Sequence, residues 1–238
     1  MFATGRIGIR VLVAAAVALL ATHGYPGSAT AADRRAALGG GSGIVLGGQS
    51  ACTLTTIGFD RADRMVGLTA GHCAELGMSV KSEHMPQAGI IGTVAAVDHH
   101  DDYAVIKFDR GKVHPIRQVT STLIARIGTP PREGDIVCKN GRTSGFNCGV
   151  VWDTHRWWFQ NHVCSQPGDS GGPVTIGDQL VGMNVGHIGV KALGVTVFDV
   201  MCQGTGVPVH DPAVASQIGM VLDDIDQSGG IGTGFRPL

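Results

Sequence analysis

The chain has 238 residues, 43% of them hydrophobic and 16% charged, with a formal net charge of -1. That is the composition of a globular protein with a sizeable core, built as one or two domains. So nearly neutral a chain gives no footing for nucleic acid or an anionic membrane as partner, and its 37 glycines point to a loop-rich, β-rich architecture.

Residues 1–31 read as a secretory leader. Arg6 and Arg10 form a basic start, Val11 to Ala21 an apolar run too short to span a bilayer comfortably, and Ala29-Thr30-Ala31 an A-x-A cleavage site. The mature chain is expected to begin near Ala32, outside the cell and free of stable membrane association. Export gives meaning to Cys52, Cys73, Cys138, Cys148, Cys164 and Cys202, an even set in an oxidising compartment. Three disulfides are expected. Spacing alone leaves every connectivity open, and no compact Cys/His cluster favours a metal.

A short N-terminal segment, 32–43, precedes a series of short apolar runs bounded by Gly, Asp, Asn or Pro. Candidate strands are Ile44 to Leu46, Thr53 to Phe59, Arg64 to Ala70, Ile90 to Val97, Ala104 to Phe108 and Ile136 to Lys139. Gly149 to Trp152, Trp157 to Phe159, Pro173 to Ile176, Gln179 to Val185 and Leu193 to Val200 follow. Many are continuous apolar runs or alternate with period two, and turn signals recur at short intervals, as in a β-barrel or sandwich. One helix is expected. Asp211-Pro212 offers an N-cap and a first-turn proline, and Val214, Ile218 and Val221 keep helical spacing to about Leu222. The Gly-rich tail 223–238 is expected to fray, its Asp223, Asp224 and Asp226 solvated.

The chemistry concentrates in three places. Gly168-Asp169-Ser170-Gly171-Gly172-Pro173 puts a serine in a glycine-flanked turn, where the backbone can come close to a substrate carbonyl. A serine hydroxyl is a weak nucleophile until a base takes its proton and fixed N–H groups receive the oxyanion. His72, in Thr69-Ala70-Gly71-His72-Cys73 at the end of an apolar run, is the natural general base. Asp102 abuts the apolar run Tyr103-Ala104-Val105-Ile106, placed to fix an imidazole tautomer. The chain order His72, Asp102, Ser170 is that of chymotrypsin, unlike subtilisins and α/β-hydrolases.

With those contexts, the chain resembles the chymotrypsin-fold serine proteases, and among them the secreted bacterial streptogrisin and α-lytic protease group. The likeness runs from about Leu46 to Leu222. The Cys-bounded hairpin from Val137 to Gly149, with Gly141-Arg142-Thr143-Ser144-Gly145 at its turn, and the Val163-Cys164-Ser165-Gln166-Pro167-Gly168 lead-in carry it outside the triad. The resemblance implies an all-β fold of two six-stranded antiparallel Greek-key barrels, over 44–222 and split near 115–130. The active site would lie between them, with a short C-terminal helix. It implies Ser170 as nucleophile, His72 as base and then acid, and Asp102 as orienter, with the Gly168 and Ser170 N–H groups as oxyanion donors. It also implies disulfides Cys52–Cys73, Cys138–Cys148 and Cys164–Cys202, the last spanning a longer stretch than in the family.

Asp169 needs a buried cation. Ile44-Val45-Leu46-Gly47-Gly48 mimics the freed terminus that supplies one in animal relatives, but Ile44 lies too close to Cys52 to swing in. Arg142 is the expected partner. Two departures from the family stand out. The space from Ala32 to Ile44 holds no large pro-region, so folding without one is expected, or with a separate factor. The substrate wall, Ser-Gly-Gly in streptogrisins, reads Val185-Gly186-His187, where His187 adds bulk. Trypsin-like preference for Lys or Arg is disfavoured, since no acidic residue stands at Asn161 to Gln166. His162 and His187 read as structural, though either could favour an acidic substrate side chain.

The expected activity is that of a monomeric, secreted serine endopeptidase on peptide or protein substrates, needing no metal or cofactor. The alternatives are a catalytically silent or highly selective protease-like binding protein on the same fold, and an esterase-like acyl hydrolase.

Overall fold

The structure is a computed structural model that describes residues 1–2, 35–192, 195–198, 200–204, 206–207 and 209–238. The leader expected over 1–31 lies outside the described residues apart from its first two. Among the described residues no helix is long and apolar enough to cross a membrane.

Two sheets make up the body, antiparallel but for the short Arg126–Ile127 strand, which pairs parallel with Gln179 and Leu180 at the edge of the second. The N-terminal sheet takes β1 (Gly43–Leu46), β2 (Ser50–Thr53), β3 (Thr56–Phe59), β4 (Met65–Ala70), β5 (Ser79–Ser82), β6 (Ile90–Asp98) and β7 (Tyr103–Phe108). Its order is β3-β4-β7-β6-β5-β1-β2, curled into an open barrel. The C-terminal sheet takes β8 (Ile136–Gly141), β9 (Gly145–Thr154), β10 (Trp158–Asn161), β11 (Pro173–Ile176), β12 (Gln179–His187) and β13 (Ala213–Gln217). Its order is β12-β11-β8-β9-β10-β13, and β13 pairs back onto β12 to close a six-stranded barrel. Closure removes the unpaired edges that would otherwise invite aggregation. This is the two-barrel chymotrypsin-like architecture.

The sequence explains which strands sit deepest. All six residues of β4 are buried, as befits an apolar run covered on both faces. On one face Leu54, Ile57, Met65, Ile91, Ile106 and Phe108 fill the N-terminal barrel. On the other, Val66, Leu68, Tyr103 and Val105 pack with Leu180, Met183, Ile218, Val221 and Ile225, joining the two sheets and the helix in one apolar cluster. Phe159 is fully buried in the C-terminal core with Val137, Val151, Val163, Val174 and Val181. Phe159→Ala should therefore cost about 3–5 kcal/mol of stability, the usual range for emptying a buried aromatic site. Chemical denaturation measures it directly.

The C-terminus departs from the sequence expectation. Residues Ala213–Gln217 form a strand, and the helix, α1, runs from Ile218 to Ser228. Apolar spacing at Val214, Ile218 and Val221 fits a helix, but β13 hydrogen-bonds to β10 on one side and β12 on the other. Closing the barrel overrides the local pattern. Nor does the tail fray. After Gly229, in the left-handed conformation that ends α1, Arg236–Pro237 pairs with β3 as β14. The Gly232 N–H donates to buried Asp60, and the Gly234 N–H to Asp226. Asp224 accepts the Tyr103 hydroxyl at 2.6 Å, so two of the three tail aspartates have structural partners.

Candidate active site

His72 follows directly on β4, in a single 3-10 turn, Gly71–Cys73. A side chain at Gly71 would collide with the backbone carbonyl of Asp98 and crowd the Tyr103 N–H. Glycine there lets the β4 end lie flat against the loop that carries Asp102. That aspartate has φ +52°, in the left-handed region that Asp and Asn enter more readily than most residues. The turn aims its carboxylate back at His72. Asp102 Oδ1 accepts the His72 backbone N–H at 2.7 Å, and His72 Nδ1 lies 3.0 Å and 2.9 Å from the two carboxylate oxygens. The hydrogen bond to Asp102 raises the His72 pKa above its ordinary value, against a smaller opposing effect of burial.

Ser170 belongs to a loop tied to the same corner. Gly168 and Gly171 have φ +96° and +84°, conformations that only glycine adopts cheaply. The Thr53 N–H donates to the Ser170 carbonyl at 2.8 Å, and the Thr53 hydroxyl to the Gly168 carbonyl at 2.8 Å. A side chain at Gly171 would strike the Thr53 carbonyl and the Thr69 hydroxyl and crowd the Ala70 N–H, so the loop packs against the strand end that presents His72. The Cys52–Cys73 disulfide completes the tie, joining the neighbours of Thr53 and His72. Within the loop the N–H groups of Asp169, Gly171 and Gly172 donate to protein carbonyls. The N–H groups of Gly168 and Ser170 take no part in those bonds.

The other two disulfides are Cys138–Cys148, across β8 and β9, and Cys164–Cys202, which anchors the lead-in to the loop. Gln166 reinforces the second anchor by donating to the Cys202 carbonyl at 2.9 Å.

The partner of Asp169 differs from expectation. The carboxylate is fully buried and pairs with the equally buried Lys139 ammonium at 2.7 Å. It also accepts the N–H groups of Thr143 at 2.9 Å and Ser144 at 3.0 Å, and the Ser144 hydroxyl. Burial works against its charge, but Lys139 and Ser144 prevail and hold its pKa below the ordinary value. Burial likewise lowers the Lys139 pKa, against the pull of Asp169. Arg142 turns instead to Glu83. Its Nε donates to Glu83 Oε2 at 2.8 Å and its Nη2 to Oε1. The reason is geometric. Along β8, Val137 and Lys139 are buried while Ile136 is exposed, so Lys139 points inward, whereas Arg142 lies in the turn beyond the strand. Ile44, mimic of a freed terminus, is fully buried within β1 and plays no such part.

Val185, Gly186 and His187 end β12, where a bulge between Asn184 and Gly186 shifts the register against β13. Gly186 and His187 share a cleft with Ser165, Gln166, Pro167 and Ser170. Val185 lines a neighbouring apolar pocket with Asp102, Trp157, Trp158, Ile188 and Val214. Trp157 and Trp158 thus face a pocket, while Phe159 is core. His162 lies away from the Ser170 cleft, stacked at 5.0 Å on Trp152 and at 4.3 Å on His210. Sequence reasoning passed over Lys139, Glu83, Thr53 and Ser144. Period-two alternation from Val137 could have found Lys139. The others depend on long-range approach.

No family model matches the chain. It is 29% identical over 167 residues to Serine protease 2 of Streptomyces fradiae, an alignment covering 64% of this chain and 95% of that protein. It is also 29% identical over 177 residues to streptogrisin-D of Streptomyces griseus, covering 66% of this chain but only 43% of that longer protein. The solved structure of Thermobifida fusca protease A has a similar fold, with TM-score 0.65 at 20% identity over 85% of this chain and all of that one. Fold and sequence relatives together support a chymotrypsin-fold serine protease of the bacterial kind. Within that kind the chain's likeness is to the streptogrisin type.

Proposed function

We propose that the chain is a secreted serine endopeptidase working through an acyl-enzyme. Ser170 Oγ attacks the scissile carbonyl while His72 Nε2 takes its proton. The oxyanion forms against the N–H groups of Gly168 and Ser170. His72 then gives the proton to the leaving amine, the C–N bond breaks, and the acyl group stays on Ser170. In the second half, His72 takes a proton from water, the hydroxide attacks the ester, and Ser170 Oγ leaves with the proton restored. The chain's own residues suffice for these steps.

One observation carries the reading. Asp102 grips His72 through both its backbone N–H and Nδ1, which leaves Nε2 as the acceptor nitrogen. The Val185–His187 strand end supplies the edge on which the acyl side of a peptide lies. Among the described residues none that lines the cleft beside Ser170 is acidic, so a basic side chain would find no counter-charge from them. Export follows from the leader pattern and accords with three disulfides.

A fluorophosphonate probe should label the mature protein, and Ser170→Ala should abolish labelling without changing the melting temperature by more than a degree or two. Failure of the folded wild type to react would overturn the reading and favour a silent binding protein.

A further inference from the structure

Arg142, released from Asp169 by Lys139, sits where it can meet a substrate. Its Nη1 lies so close to Gly168 that a Cβ built there would be 2.6 Å away, with the Ala51 carbonyl at 3.6 Å. In the peptidase reading the Ser165–Pro167 cleft and the Gly186–His187 strand end take the acyl side of a peptide. Arg142, Thr143 and the Ala51 carbonyl are the groups nearest a side chain built on Gly168, and Ala51 precedes Cys52 of the Cys52–Cys73 disulfide. None of these three is among the residues that line the cleft, which leaves them for the residues past the scissile bond.

The Glu83–Arg142 pair is also built rather than incidental. It joins the residue after β5, in the N-terminal sheet, to the turn between β8 and β9, in the C-terminal barrel. Any side chain on Gly43 would overlap the Glu83 carboxylate, so the glycine makes room for it. The Arg142 N–H donates to Thr53 Oγ1 at 3.0 Å and its Nη1 to Thr143 Oγ1 at 3.3 Å. Two guanidinium N–H bonds go to Glu83 and one to Thr143. A guanidinium has five, so Nη1 and Nη2 each keep a hydrogen. The side chains of Arg142 and Glu83 are 23% and 26% exposed, held in place yet reachable.

We propose that Arg142, oriented by Glu83, recognises the substrate on the leaving-group side and favours an acidic side chain at the first or second residue past the scissile bond. The proposal rests on the peptidase reading of Ser170. Glu83 does two things: it fixes the guanidinium, and it offsets much of its charge. The pair is therefore a graded selector, whose strength depends on the balance between its members.

The test uses peptides identical on the acyl side, with Asp, Asn or Lys at each of the two positions past the cleaved bond. The Asp-to-Lys ratio of kcat/KM is measured for wild type, Glu83→Gln and Arg142→Gln. Wild type should favour Asp by about twofold to fivefold, the scale of a partly exposed charge pair. Glu83→Gln, with the guanidinium uncompensated, should widen the ratio. Arg142→Gln, with a bare carboxylate, should reverse it towards Lys. A pair serving only as a staple between the sheets would slow every peptide alike. An unchanged ratio across the three proteins overturns the proposal while leaving the peptidase reading intact. A wild type that cleaves none of the peptides overturns both.

Discussion

Replacing Asp102 by Asn is expected to lower kcat about 10⁴-fold at neutral pH, the loss typical of a Ser-His-Asp site that holds the wrong tautomer. Asn tolerates the left-handed backbone at this position as Asp does, so the loop should keep its path. The Asn carbonyl oxygen can still accept the His72 backbone N–H. Its amide nitrogen must then face Nδ1, and as a donor it forces Nδ1 to be the acceptor and Nε2 to carry the proton. An imidazole so arranged cannot take a proton from Ser170. Loss of charge alone would not explain so large an effect. The His72 and Asp102 side chains are 48% and 27% exposed, and such pairs contribute at most about 1 kcal/mol, or roughly fivefold.

The pH profile separates the two contributions. His72 must be neutral to act as base, and Asp102 raises its pKa. Wild-type kcat/KM should therefore fall as the solution is acidified, with a midpoint above the value of about 6.5 for an ordinary imidazole. In Asp102→Asn the raising hydrogen bond is gone, and the acid limb of the residual activity should move to lower pH. A limb that stays in place would mean that His72 titrates independently of Asp102. The measurement is kcat/KM for one peptide between about pH 5 and 9, the range in which histidine changes charge.

Much of this was legible in the sequence, for identifiable reasons. The contexts of His72, Asp102 and Ser170 are local: a strand end, a strand start and a glycine turn, each written in consecutive residues. Continuous apolar runs such as Met65 to Ala70 mark strands buried on both faces, as β4 is. Two kinds of feature were hidden. The stretch Ala213–Gln217 satisfies helical spacing, and only pairing with both β10 and β12 makes it a strand. That depends on partners more than 20 residues away in sequence, which local periodicity does not see. The partner of Asp169 was misread for a related reason. Arginine is the better carboxylate clamp in general, but strand alternation decides which cation points inward, and it favours Lys139.

Lys139→Met is expected to cost about 3–5 kcal/mol, because removing one member of a buried pair strands the other. Methionine keeps the length and apolar stem of lysine, so loss of packing is a minor part. The residual cost is the unpaired Asp169 carboxylate, and pH gives it a signature. In wild type the pair holds the folded-state pKa of Asp169 below its ordinary value, so that stability is present above the carboxylate range and lost as the pH falls through it. In the variant, burial is opposed only by the Thr143 and Ser144 hydrogen bonds, and it is expected to raise the Asp169 pKa above its unfolded value. The contribution then has the opposite sign: full stability survives only at acid pH and is lost as the pH rises. The gap between wild type and Lys139→Met should therefore be widest at neutral pH and narrow towards about pH 4, near the unfolded carboxylate pKa. Urea melts at both pH values would show it. Labelling of Ser170 should suffer in parallel. Asp169 lies between Gly168 and Ser170, and the ion pair holds the peptide units that would receive the oxyanion. Lys139→Arg restores a cation but adds bulk to a site with no exposed surface, so it should recover only part of the stability and part of the labelling. A gap that is the same at both pH values would assign the effect to packing, and would mean that Lys139 does not set the charge of Asp169.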